Sequence, residues 1–178
     1  MKSAAARIPL EILLWGTHPV EEALGSTHAR VHELWVIPQR EKDFSRARAV
    51  AKVHAVSKDA LDRKAGTDRH QGVVARVTLE LYPDARAWFD ESGQGASTRA
   101  RKVLVLDQIE DPQNMGALYR SAHFFGFDAA VIPKDHSANL TGVVAKASAG
   151  APFSMPTIRC ANLSRGMWAL QELGFWCV

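Results

Sequence analysis

Between Lys102 and Pro133 the chain reads KVLVLDQIEDPQNMGALYRSAHFFGFDAAVIP. An unbroken apolar run is followed by an acidic break, a stretch with helical spacing, Gly126, and a second apolar run. Two buried strands joined through a helix make a parallel pair, because such a crossover returns the chain in the same direction. Val103–Leu106 has no polar alternation, the pattern of a strand covered on both faces. This unit commits the chain to an α/β fold, and the rest must supply the covering helices.

The helix start is sharply marked. Asp111 is a good N-cap, and Pro112 suits the first helical position. Free backbone N–H groups there can receive an anion. Asn114 offers a donor and an acceptor in the first turn. Gly116 removes a side chain where another backbone or a ligand must come close. Arg120 carries a planar fork suited to phosphate or carboxylate. Leu118, Ala122 and Phe125 are expected to form the packing face. Gly126, with Phe127 behind it, is expected to end the helix in a Schellman stop. A helix that only packed a core would need none of Asn114, Gly116 and Arg120.

Upstream, EILLWGTHPVEEALGS reads as an apolar stretch, a turn and a helix capped by Thr17, and VHELWVIP as a strand closed by Pro38. FSRARAVAKVHA has helical spacing with Ala47, Val50, Ala51 and His54 on one side. AVS is a candidate short strand. KDALDRKAG reads as a helix capped near Ser57 or Asp59 and stopped at Gly66, and GVVARVTLE as a strand. Downstream, LTGVVAKASAGA is expected as one helix, PTIR as a strand, NLSRGMWALQELG as a helix from Asn162 to Gly174, and FWCV as the start of another strand. The fold class is therefore α/β: a small N-terminal sandwich over residues 1–85, a Gly/Ser-bearing linker over 86–101, and a parallel-sheet domain over 102–178.

The 178 residues carry 22 Lys+Arg against 19 Asp+Glu, and the excess sits in the first 80 residues, where 13 face 10. A mildly basic module beside a neutral one points to a polyanion as partner of the first. No apolar run is long enough to span a membrane. The two cysteines, Cys160 and Cys177, have no metal-ligand spacing and fit a reducing compartment. No metal site is expected.

From Asp107 to Ala122 the residues follow a recognisable pattern: Asp107, Asp111-Pro112, Asn114, Gly116-Ala117, then Arg120-Ser121-Ala122. This resembles motif 1 of the SpoU (TrmH-like) branch of the SPOUT RNA methyltransferases. KASAGA and PTIR continue the resemblance. WGTHPVEEAL and RHQGVVARV resemble the ends of the substrate-binding domain in the RlmB-like subgroup, which methylates a guanosine ribose in large-subunit ribosomal RNA. The resemblance implies a trefoil-knot catalytic domain, S-adenosylmethionine as cofactor, ribosomal RNA as substrate, a homodimer and a cytoplasmic location. It assigns catalysis to Arg120 and Asn114. A free guanidinium is a poor base, so holding the phosphate and stabilising a developing alkoxide is the role expected of Arg120. By the same resemblance the first domain binds RNA, with Arg69, His70 and Gln71 on one loop and His18 near Gly16 as candidate contacts; in the second domain Lys134, after the strand AAVIP, is a further candidate for backbone phosphate. The two later motifs of the family, which make the cofactor pocket and the knot, are not found up to Val178. The cofactor-binding residues are thus expected beyond it, and the chain alone is expected to be inactive. Two other readings stay open: a non-catalytic RNA-binding protein, and an unrelated α/β enzyme that binds phosphate at the Asp111 helix start.

Overall fold

The computed structural model describes residues 6–92 and 100–178. In the first part, strands β1 (Ile8–Trp15), β2 (Ala29–Val36), β3 (Lys52–Ala55) and β4 (Val73–Leu81) form a sheet in the order β1-β4-β2-β3. β4 runs antiparallel to β1 and β2, while β3 runs parallel to β2. Helices α1 (Thr17–Gly25) and α2 (Lys58–Ala65) accompany it. In the second part, β5 (Val103–Val105), β6 (Ala129–Pro133) and β7 (Thr157–Cys160) form a parallel sheet in chain order. Helices α3 (Ala85–Glu91), α4 (Pro112–Phe124), α5 (Gly142–Ala147), α6 (Ala151–Ser154) and α7 (Leu163–Glu172) surround it.

The central strand shows why this sheet needs two helical layers. Side chains alternate across a strand, and all of Ala129–Ile132 is buried. Ala130 and Ile132 face a core shared with Met115, Tyr119, Val144 and Phe153. Ala129 and Val131 face Trp88, Ile158 and Leu170, in the layer made by α3 and α7. The first core also contains Leu14, Val20, Leu34 and Val77 from the N-terminal sheet, so one apolar body spans both sheets. Each fully buried leucine there is worth about 1.5–3 kcal/mol of burial. A backbone bridge adds to the seam: Tyr82 N–H donates to the Thr157 carbonyl and Arg159 N–H to the Tyr82 carbonyl, both at 2.9 Å.

Several expectations change. Residues 45–49 form a 3-10 turn and 52–55 form β3, so the helix expected across them is absent. β3 is held by parallel pairing with β2, a long-range contact that overrides the local spacing. Thr17 is the first helical residue of α1, and Gly16 (φ 95°) is its cap. β5 is half-buried along its length and lies at the edge of its sheet, not in the middle. LTGVVAKASAGA is broken into α5 and α6 by Ala149 and Gly150, both at positive φ. Residues 175–178 join no strand, and Trp176 is exposed. The stretch taken as a linker opens with α3, whose Trp88 is buried, while residues 93–99 lie outside the described residues. The flanks of that stretch meet, since Arg101 donates to Ser92 Oγ at 2.8 Å.

Candidate functional site

α4 begins after the carboxyl end of β5, the rim where open α/β sheets bind ligands. Its ends match the sequence. The Asp111 carboxylate accepts from Gln113 N–H at 2.9 Å, and Pro112 occupies the first turn. At the other end Gly126 (φ 69°) and Phe127 donate N–H groups to His123 and Ala122 carbonyls, both at 3.0 Å, closing a Schellman stop. The buried face differs from expectation. It is Met115, Gly116, Tyr119 and Ala122, whereas Leu118 and Phe125 are exposed. Gly116 explains the difference. A Cβ there would collide with Ala147 and lie 3.0 Å from the Val144 carbonyl oxygen, so the helix turns its narrowest side to α5. Tyr119 is fully buried and shares a 2.9 Å hydroxyl–hydroxyl hydrogen bond with Thr157 on β7; burial pushes its phenol pKa up.

Asn114 and Arg120 are both exposed. Among the described residues neither side chain has a hydrogen-bond or ion-pair partner. A guanidinium left uncommitted beside a capped helix start is available to a phosphate, which it can hold with two parallel N–H donors. Arg120 lies one helical turn beyond Gly116, so the close α4–α5 contact fixes the backbone next to it.

The loop before β4 behaves in the opposite way. His70 is only 2% exposed. Its Nε2 lies 2.8 Å from an Asp62 oxygen, and its Nδ1 accepts the Gly72 N–H at 2.9 Å. Both ring nitrogens are occupied, so His70 is a buried support for the loop and not an RNA contact. The Gln71 carboxamide oxygen accepts from Thr17 N–H at 3.0 Å and from Lys146 Nζ at 2.8 Å. That oxygen is thus committed to joining α1 and α5. The Arg69, His18 and Lys134 side chains remain outward. His18 sits 3.7 Å from Glu21, and both are well exposed. His18 stands on the first turn of α1 and Arg69 and Lys134 on two separate loops, and among the described residues no side-chain hydrogen bond or ion pair draws the three into one cluster.

Two participants were not picked out from the sequence. Lys146 on α5 reaches across to Gln71 and Gly16, and desolvation lowers its pKa. Arg40 donates to Thr17 Oγ1 at 2.7 Å and to the Gln71 carbonyl at 2.8 Å. Only the run of small residues around Lys146 hinted at a close seam.

Beside β5 lies a groove of about 830 Å³ lined by Val103, Leu104, Met167, Phe175 and Trp176, and two smaller cavities of about 380 and 360 Å³ flank α1 and α3. None of the three is lined by Asn114 or Arg120. Among the described residues there is also no cluster of three His, Cys, Asp or Glu able to hold a metal ion, and no helix long and apolar enough to cross a membrane.

A family model described as the SpoU rRNA Methylase family matches residues 101–178, and one described as RNA 2′-O ribose methyltransferase substrate binding matches residues 13–83. A Shewanella oneidensis protein named 23S rRNA (guanosine-2′-O-)-methyltransferase RlmB is 36% identical over 93% of this chain and 69% of its own length. The chain belongs to the SpoU rRNA methylase family. A Vibrio cholerae member with the same name is 37% identical over 93% of this chain and 68% of its own. Among solved structures, the SpoU methyltransferase AviRb from Streptomyces viridochromogenes, in complex with AdoMet, has a TM-score of 0.70 at 20% identity, covering 92% of this chain and 59% of its own. An AdoMet-bound rRNA methyltransferase from Sinorhizobium meliloti has a TM-score of 0.69, covering 90% of this chain and 58% of its own. The SpoU fold is thus shared along nearly the whole of this chain, which spans less than two thirds of those solved chains.

Proposed function

We propose that this SpoU family chain belongs to an S-adenosylmethionine-dependent enzyme that methylates the 2′-hydroxyl of a guanosine in large-subunit ribosomal RNA. The observation that carries the reading is Arg120, exposed and uncommitted on a capped helix at the carboxyl rim of a parallel sheet. The kinship with proteins named as 23S rRNA guanosine-2′-O-methyltransferases supports the substrate and the cofactor. When bound, the cofactor supplies an electrophilic methyl group on sulfur. The part of this chain is to hold and orient the RNA. Arg120 grips the phosphate next to the target ribose and stabilises negative charge as the hydroxyl loses its proton. Asn114 fixes the geometry from the first turn of α4. His18, Arg69 and Lys134 contact RNA backbone, where exposed cations contribute affinity without reading sequence. The enzyme acts as a homodimer in the cytoplasm, where its RNA is made; exposed Leu118, Phe124 and Phe125 on and after α4 are consistent with a partner there.

The test is methyl transfer from labelled S-adenosylmethionine to large-subunit rRNA by the product of the whole gene, wild type against Arg120→Ala. Transfer by the wild type and its loss in the variant support the reading; equal transfer in both removes Arg120 from catalysis. The second reading is an RNA-binding protein without catalysis. It draws support from the match of residues 13–83 to a family model described as RNA 2′-O ribose methyltransferase substrate binding, which speaks for RNA binding by itself. RNA binding by the whole gene product with no affinity for S-adenosylmethionine would establish it.

A further inference from the structure

α5 stands between the two modules and touches both through glycines. On its first turn, a Cβ at Gly142 would collide with the Leu13 carbonyl oxygen and the Trp15 ring, both on β1. On its far side, Ala147 and the Val144 carbonyl press against Gly116 of α4. One residue before Ala147, Lys146 lies over Gly16, where a Cβ would meet its Nζ. Past the helix, a Cβ at Gly150 would lie 2.8 Å from the Glu22 side chain on α1. At Gly142 the distance across the seam is set by backbone contact, and at Gly116 the same helix is held tightly against α4; at Gly16 and Gly150 the nearest atoms belong to the Lys146 and Glu22 side chains, which close over the glycines. Interfaces packed this closely resist small displacements.

Hydrogen bonds close the same seam. Lys146 Nζ crosses it to the Gln71 carboxamide oxygen, which Thr17 N–H and, through the Gln71 carbonyl, Arg40 hold in place from within the first module. Ser26 Oγ donates to the Phe153 carbonyl, and the Tyr82–Thr157–Arg159 backbone bridge holds the opposite side. Among the described residues no carboxylate partners Lys146, and its one acceptor is the Gln71 amide.

We infer that α5 is a rigid spacer that sets the position of the N-terminal RNA-binding sheet relative to the helix carrying Arg120, with Gln71 and Lys146 as positioning residues that lock it. The inference rests on the proposed RNA methylation and deepens it. RNA gripped by the first module is presented to Arg120 at one fixed separation, so the ribose arrives already oriented. A loose tether would spread that separation and lower the effective concentration of the hydroxyl at the rim. The substrate class that fits is a folded RNA whose gripped element and methylated ribose lie at a constant distance. A short unstructured oligonucleotide gains nothing from such a spacer.

The experiment measures the distance distribution between spin labels at exposed positions Asp59 and Gln171, in a full-length Cys177→Ser background, alongside RNA and donor kinetics. Wild type should give one narrow distribution. Lys146→Met, which keeps the apolar stem, and Gln71→Leu should broaden it. Both should also lower kcat/KM for folded rRNA by about tenfold, with donor affinity unchanged. Gln71→Glu keeps an oxygen acceptor for Thr17 and Lys146 and should behave as wild type. Gly142→Ala should broaden the distribution most; should it fail to fold, the two clasp variants decide. A broad distribution in wild type, or unchanged distributions in Lys146→Met and Gln71→Leu, overturns the spacer. Absence of methyl transfer in wild type overturns only the enzymatic reading, because the distances are read without it.

Discussion

The loop before β4 and the opening of α4 look alike as sequence and differ as structure. Both set polar side chains beside a strand end, Arg69-His70-Gln71 in one and Asn114 with Arg120 in the other. In the first, His70 is buried between Asp62 and Gly72, and the Gln71 oxygen is taken by Thr17 and Lys146. In the second, both side chains are exposed and uncommitted. A buried polar group must be satisfied within the fold, and once satisfied it has nothing left to offer a ligand. An exposed, uncommitted group contributes little to stability and is free to act on something else. One polar run is therefore a joint, the other a tool.

Substitutions can break this contrast. The largest effect is expected from Arg120→Ala in the complete protein: methyl transfer falls about 100-fold or more, while the urea midpoint stays close to wild type, as for an exposed helix position. Unchanged turnover would make Arg120 an ordinary surface charge. His70→Ala should do the reverse, lowering unfolding free energy by about 2 kcal/mol or more, because it strands the Gly72 N–H and empties a buried site. Urea titration reads this, and an unaltered midpoint would return His70 to the pool of RNA contacts. Asn114→Ala should cost about tenfold in transfer with no loss of stability, given its place in an exposed first turn.

A pH titration sharpens the joint side of the contrast. Hydrogen bonds from Lys58, and then from His70, hold the Asp62 carboxyl below its ordinary pKa of 3.8. A carboxyl lowered in the folded state contributes stability above its unfolded pKa and loses that contribution as pH falls through the folded value. Unfolding free energy should thus drop below about pH 4, and Asp62→Asn should flatten that limb. A wild-type limb identical to that of the variant would remove Asp62 from the account. The smallest effects belong to His18→Ala, Arg69→Ala and Lys134→Ala, each weakening RNA binding by about two- to fivefold and reducing its salt dependence.

The sequence showed the parts whose rules are local. Asp111, Pro112 and Gly126 bounded α4, Ser57 and Gly66 bounded α2, and Asn162 and Gly174 bounded α7. It also singled out Asn114 and Arg120. It misread residues 45–55 because a short edge strand after a 3-10 turn can have helix-like apolar spacing; pairing with β2 decides the outcome. It misplaced the α4 packing face because Gly116 has no hydrophobicity to count, yet it sets the contact with α5. It took His70 for a ligand because the companion Asp62 sits on a different element, and only folding brings them to 2.8 Å. The seam through Lys146 was hidden for the same reason: its partners lie 75 positions away.

The hydrogen bond between Tyr119 and Thr157 has a consequence for the residue that follows it. Successive side chains on a helix point about 100° apart, so anchoring the phenol inside the molecule fixes the azimuth of α4 and keeps its neighbour turned outward. A helix free to roll about its axis would swing that guanidinium through an arc. Pinned at one rung, α4 presents its charge in a single direction, and the pin lies where no solvent or substrate reaches it.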